Sequence, residues 1–187
     1  MYRLIEYSDD FDLSDFYAEA KRRGFMNNIS KKTMIDCFNN EREKQTWILY
    51  NDKRPVGAVG AHSFDDVMGP NSYRILTRVC SFGDERPNKG MLTVRRLAVE
   101  HQTFNDQFFL PTCIEWAGKE NNLYVTSNES EIGSQRLVHR IYFPTLEKLG
   151  IAKRIEDNVY YRYTYQTIWQ IFPDKFYENL AKYKRWN

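Results

Sequence analysis

Between Gln45 and Phe82 three strand-like runs follow one another with only turn residues between them. QTWILY (Gln45 to Tyr50) leads through NDKRP (Asn51 to Pro55) into VGAVGAHSF (Val56 to Phe64). The polar DDVMGPNS then precedes YRILTRVCSF (Tyr73 to Phe82). Runs of this length, rich in β-branched and aromatic residues and joined by turn signals, predict an antiparallel meander.

The flanking segments alternate strand and helix patterns. YRLIEY (Tyr2 to Tyr7) reads as a first strand. In DLSDFYAEAKRRGF the residues Leu13, Phe16, Tyr17 and Ala20 share a helical face, with acids at its start, Lys21, Arg22 and Arg23 at its end, and Gly24 as the stop; that charge order complements the helix dipole. Ser30 is placed to cap a second helix whose apolar side is Met34, Ile35, Cys37 and Phe38. Beyond the meander, GMLTVRRLAVEHQ favours helix over strand. FNDQFFLPTCIEWAGKENN (Phe104 to Asn122) predicts a helix interrupted or begun near Pro111 and ended at Gly118. LYVTSN (Leu123 to Asn128) is a short buried strand, ESEIGSQ a loop, and RLVHRIYFPTLEKLG (Arg136 to Gly150) a helix bent by Pro144 and closed by Gly150. NVYYRYTYQTIWQIF (Asn158 to Phe172) alternates with period two, and a terminal helix is expected after Pro173. The order is β-α-α-β-β-β-α-β-α-β, with room for a last hairpin strand. It predicts an α+β class built on a single mixed, mostly antiparallel sheet flanked by helices.

Composition limits the partners. With 187 residues, 42% hydrophobic and 16% aromatic, the chain can bury a real core as one domain and is not disordered. The 27 basic and 25 acidic residues are spread along it for a net charge of +2, which argues against a nucleic-acid partner. No apolar run approaches the ~20 residues of a membrane span, and MYRLIEYSDD has no signal-peptide core, so a cytoplasmic location is expected. Cys37, Cys80 and Cys113 fit reduced thiols. There is no Cys-x-x-Cys and no His pair at helical spacing among His62, His101 and His139, so no metal is expected.

One stretch has the features of a phosphate cradle. FGDERPNKGMLTV (Phe82 to Val94) leaves a strand, passes Gly83, Pro87 and Gly90, carries Arg86 and Lys89, and precedes a helix-favouring segment. Backbone N–H groups in such a bend and a following helix N-terminus attract anions. A polar surface turn uses the same residues, and both readings stand at this point.

The order of elements, with LYVTSN and the helix ending TLEKLGI (Thr145 to Ile151), resembles the GNAT superfamily of acetyl-CoA-dependent N-acyltransferases. Its members have a short strand, an Asn soon after it, and a helix ending in a Tyr-x-x-Leu-Gly-Phe-like motif. The resemblance implies a GNAT-like domain spanning residues 1–187 and an acyl transfer from acetyl-CoA, or another acyl-CoA, to an amine of a small molecule or protein. It implies that backbone groups of Arg78, Val79 and Cys80 face the pantetheine arm. Asn128 would also bond the arm, and the loop with Arg86, Asn88, Lys89, Gly90 and Met91 would receive the pyrophosphate. The usual Gln/Arg-x-x-Gly-x-Gly/Ala spelling is absent: Lys89 stands where the first Gly belongs.

Acyl transfer to an amine needs a base for the ammonium and an acid for the leaving thiolate. Leu146 stands where the family's acidic Tyr belongs, and Tyr142, one helical turn earlier, is the nearest substitute, with a packing role as the plainer reading. The strand Tyr73 to Phe82 contains no acid, which leaves His62 as the candidate base or a hydrogen-bonded structural residue. The altered loop and Leu146 keep a second reading open: a catalytically silent domain of this fold that binds a partner. In YYRYTYQ, alternation puts Tyr161, Tyr163 and Tyr165 on one strand face, with Tyr160 and Arg162 on the other; this is a packing face, or a stacking surface for single-stranded nucleic acid. A homodimer is compatible with the sequence.

Overall fold

The computed structural model describes residues 1–22, 30–38, 44–63, 72–76, 102–118, 122–127, 138–161 and 164–180. Strand β1 (Tyr2–Glu6) is followed by helices α1 (Ser14–Arg22) and α2 (Lys31–Phe38) and by strands β2 (Lys44–Asn51), β3 (Arg54–Ser63) and β4 (Ser72–Leu76). Helix α3 is a π-helical turn, Asn105–Phe109, that runs into the α-helical Leu110–Ala117. After β5 (Asn122–Ser127), α4 repeats that form, with a π-turn Val138–Tyr142 and an α-helical Phe143–Lys148. Strands β6 (Ala152–Tyr161) and β7 (Thr164–Ile171) and helix α5 (Pro173–Asn179) complete the order.

The strands form one seven-stranded sheet in the order β1-β2-β3-β4-β5-β7-β6. Of its pairings only β4 with β5 is parallel. The class is α+β, as the pattern of runs predicts. Because neighbouring strand residues face opposite sides, the sheet has two cores. Ile48, Tyr50 and Ala58 pack with Phe16 and Ala20 of α1 and Met34 of α2. Trp47, Leu49, Val59, Ala61, Leu123, Val125 and Trp169 pack on the other face with α3 and α4.

Local chemistry explains most element boundaries. Asp12 Oδ1 accepts the Ser14 backbone N–H at 2.8 Å, satisfying a donor at the start of α1. The Ser30 carbonyl accepts the Met34 N–H, opening α2 where expected. At the end of α4, Gly150 N–H bonds to Glu147 O and Ile151 N–H to Leu146 O, both at 2.9 Å, with Gly150 at φ 68°. This is a Schellman ending, which requires a left-handed residue. A Cβ on Gly150 would meet nothing within 4 Å, so Gly150→Ala is expected to cost only the backbone penalty, about 1–2 kcal/mol. Urea unfolding of the variant checks this.

Two expectations are corrected. Pro55 does not end the β2–β3 turn. The turn is Asp52–Lys53, with Asp52 at φ 52°, and Pro55 lies in β3 opposite Tyr50, where the register shifts between Leu49 and Tyr50; at such a bulge the missing proline N–H is tolerated. The α-helical part of α3 begins at Leu110, with Pro111 in its first turn, near where the sequence put a start or interruption. Leu110 N–H reaches back five residues to Asn105 O, and this wide turn opens the ladder just before the proline ring. Pro144 follows the π-turn of α4 in the same way. Finally, the period-two run from Asn158 to Phe172 takes the hairpin option, and its alternation does not put Tyr160 and Tyr165 on opposite faces. Tyr160 faces Tyr165 in register, so they share a face, with ring centroids 5.3 Å apart. Tyr163 lies outside the described residues, so nothing places it with Tyr165.

Candidate active site

In an open sheet, ligands bind beyond the carboxyl ends of strands where the chain direction or order switches. Here that place is fixed by the parallel pair, whose register runs from Ser72↔Asn122 to Ile75↔Val125. Both strands end on the same side, and β5 continues to Ser127, opposite Thr167 of β7.

A polar cluster occupies this end of the α3/α4 face. Ser127 is buried, and its Oγ accepts the Trp169 indole N–H at 2.8 Å. The same Oγ is 2.8 Å from Nδ1 of His139, which comes from the π-turn of α4. The Trp169 ring stacks on Phe143, with centroids 5.5 Å apart and planes 16° apart, and the Arg154 guanidinium lies 5.7 Å from its centre. Arg154 Nε donates to Asp157 Oδ1 at 2.7 Å, and Thr167 Oγ1 donates to the same oxygen at 2.8 Å. Register shifts between Arg154 and Glu156 and between Glu156 and Val159, with Asn158 at φ 55°, bend β6 at Asp157.

Burial alone would push the Asp157 carboxyl up. Hydrogen bonds from Thr167 and Arg154, with the charges of Arg154 and His139 beside it, outweigh that and hold it below the usual carboxylate range. A carboxyl whose folded value is depressed adds stability above its unfolded value of about 4, and that stability is lost as pH falls through the lower folded value. Asp157→Asn should therefore flatten the fall in melting temperature below about pH 4, as followed by circular dichroism. An unchanged acid limb would show that Asp157 is not linked to folding.

Tyr142 sits three residues after His139 and is buried, 4% exposed. Its hydroxyl donates to Asp106 Oδ1 at 2.7 Å, a bond between the π-turns of α4 and α3. Of His62 the structure describes the backbone, in β3 in register with Lys44 and Arg74. Arg78, Val79, Cys80, Arg86, Asn88, Lys89, Gly90, Met91 and Asn128 lie outside the described residues. Cys113 is fully buried in the core, and burial pushes its thiol up, away from a reactive thiolate.

No family model matches the chain, and no curated protein matches it by sequence. Solved structures do. One is a "probable acetyltransferase" of Staphylococcus epidermidis, with a TM-score of 0.59 at 12% identity over 92% of this chain and 98% of that one. An uncharacterized protein of Bacillus halodurans matches with a TM-score of 0.56 at 10% identity, over 97% and 89% of the two chains. An aminoglycoside N-acetyltransferase matches with 0.51 at 12% identity, over 94% and 99%. The chain has the GNAT fold.

Within that fold the TLEKLGI ending is where the sequence placed it. Leu149 is partly buried against the core and Gly150 makes the left-handed turn. Leu146 is fully buried in the apolar cluster under α3 and α4, an aliphatic side chain that carries no transferable proton. The Ser127–His139 contact is not legible in the sequence, since the two are twelve residues apart and no spacing rule pairs them. A hydroxyl at a strand's carboxyl end followed by His in the next helix is the only local signal.

Proposed function

We propose that the protein transfers an acyl group, acetyl in the simplest case, from acyl-CoA to an amine of a small molecule or a protein. The observation that carries this reading is the parallel β4–β5 pair in an otherwise antiparallel GNAT-fold sheet, with Ser127 and His139 at its carboxyl end. In this reading the backbone of Arg78, Val79 and Cys80, together with Asn128, lies along the pantetheine arm. The loop with Arg86, Asn88, Lys89, Gly90 and Met91 receives the pyrophosphate. Lys89 in place of a glycine would keep the backbone further from the phosphates, and the side-chain charges of Arg86 and Lys89 then contribute more of the attraction.

Isothermal titration with acetyl-CoA, with CoA as control, tests the reading. The expected result is micromolar binding, about −8 kcal/mol, lost in the Arg86→Ala/Lys89→Ala double variant. No binding up to millimolar acetyl-CoA would refute it. The buried Leu146 favours one alternative, a domain of this fold that binds without catalysing. Its signature is acetyl-CoA or partner binding with no thiol release in the presence of amines.

A further inference from the structure

Strand β6 ends the sheet, with β7 as its sole neighbour among the described residues. It is ten residues long, and every residue from Lys153 to Asn158 is exposed. The bare edge of so long a strand offers backbone N–H and C=O groups to any other strand. A common protection is charge, above all lysine, because a row of like charges repels a second copy of itself. The β6 edge carries a different pattern. Lys153 and Arg154 precede Ile155, and Glu156 and Asp157 follow it. Laid against itself in reverse, this order sets bases against acids.

Register decides which of these charges are available. Arg154 and Asp157 pair within the chain, with Nη2 of Arg154 2.6 Å from Asp157 Oδ1. Arg154 stands opposite Trp169 and lies over its ring, so this pair belongs to the α4 face. Lys153 stands opposite Gln170 and Glu156 opposite Ile168, both on the other face. In a regular strand, residues three apart point to opposite sides. Here the register shifts between Arg154 and Glu156, Ile155 is the extra residue, and Lys153 and Glu156 come to one side. Neither of them makes an ion pair among the described residues. Ile155 between them is 36% exposed.

We propose that the β6 edge joins two copies of this chain, paired antiparallel about a two-fold axis that passes between Arg154 and Ile155. Lys153 of each copy then lies opposite the partner's Glu156, and the two Ile155 side chains meet beside the axis. The same patch serves both copies, as closed two-fold symmetry requires. With the axis perpendicular to the sheet, opposed residues keep a common face, so the Lys153–Glu156 pairs form on the side where both residues already lie. A slip of one residue would set side chains of opposite faces against each other, so charge and pleat select the same register. The bulges keep the shared ladder short, which leaves the side-chain match to determine the partner. Lys153, Ile155 and Glu156 stand outside the Ser127–His139 cluster, so this assignment does not depend on the acyltransferase reading.

Sedimentation equilibrium of the full chain, from micromolar to millimolar concentration, tests it. The expected result is a monomer–dimer equilibrium that weakens as salt rises from about 0.1 M to about 1 M. Lys153→Glu or Glu156→Lys alone turns two attractive pairs into two repulsive ones, and each should weaken the dimer at least about tenfold. Mixed together, the two single variants should associate with each other, because each copy supplies the charge that the other lacks. The Lys153→Glu/Glu156→Lys double variant should dimerise like the wild type. Misfolding cannot produce either recovery, and thermal melts establish that each variant is folded. A wild-type chain that stays monomeric at millimolar concentration overturns the proposal. A dimer of equal strength in both single variants overturns this surface as its contact, and so does a mixture of the two that fails to associate.

Discussion

Replacing Trp169 by alanine is expected to destabilise the fold by about 4 kcal/mol and to lower the melting temperature by roughly 8–16 °C. The side chain is 1% exposed and does three separate things. Its ring stacks on Phe143 and so seats α4 on the sheet. Its N–H satisfies the buried Ser127 hydroxyl. Its edge of the sheet carries Arg154 above the ring, a cation–π contact. Alanine removes the ring and leaves a cavity between β7 and α4 that a packed core closes only in part. Trp169→Phe separates the terms, since it keeps most of the packing and loses the N–H; it should cost about 1–2 kcal/mol. Urea denaturation of the three proteins gives the comparison. A loss below about 1 kcal/mol for Trp169→Ala would mean that α4 is held by something other than this stack.

Tyr142→Phe is expected to cost about 2 kcal/mol. The hydroxyl lies in a buried environment and donates to a buried carboxyl, Asp106, which is 2% exposed. Taking away the donor removes a bond that joins the π-turns of two helices across the core. The contribution belongs to the pair, so a double-mutant cycle is the right measurement. In an Asp106→Ala background, Tyr142→Phe should have little further effect. If it costs the same in both backgrounds, the bond is not what couples α3 to α4. The same variant bears on chemistry. If Tyr142 only ties helices together, the kcat of folded Tyr142→Phe stays at the wild-type value while the melting temperature falls.

The elements most legible in the sequence are those set by local rules. The β2–β3 hairpin, the start of α2 after Ser30 and the Schellman ending at Gly150 follow from side-chain alternation, capping chemistry and backbone freedom within a few residues. The prolines are as local: a regular α-helix cannot hold an internal proline, and Pro111 and Pro144 each fall in the first turn of an α-helical segment that follows a π-turn. One misreading has a similarly local cause. Alternation through YYRYTYQ put Tyr160 and Tyr165 on opposite faces, but their antiparallel pairing reverses the parity between β6 and β7 and brings them onto one face.

The candidate site divides along the same line. The aliphatic Leu146, the absence of an acid between Tyr73 and Phe82 and the charges of Arg86 and Lys89 are matters of sequence. The Ser127–His139–Trp169 contacts are not, because they join the end of one strand, the start of a helix and a strand some forty residues further on. Sequence by itself determined the α+β class, the order of elements and the turn at Gly150, since each depends on residues within about one helical turn or one strand pair of each other. Only the tertiary structure decided which polar groups meet at the carboxyl end of β5, because sheet register and helix docking, neither encoded by spacing, bring them within hydrogen-bond distance.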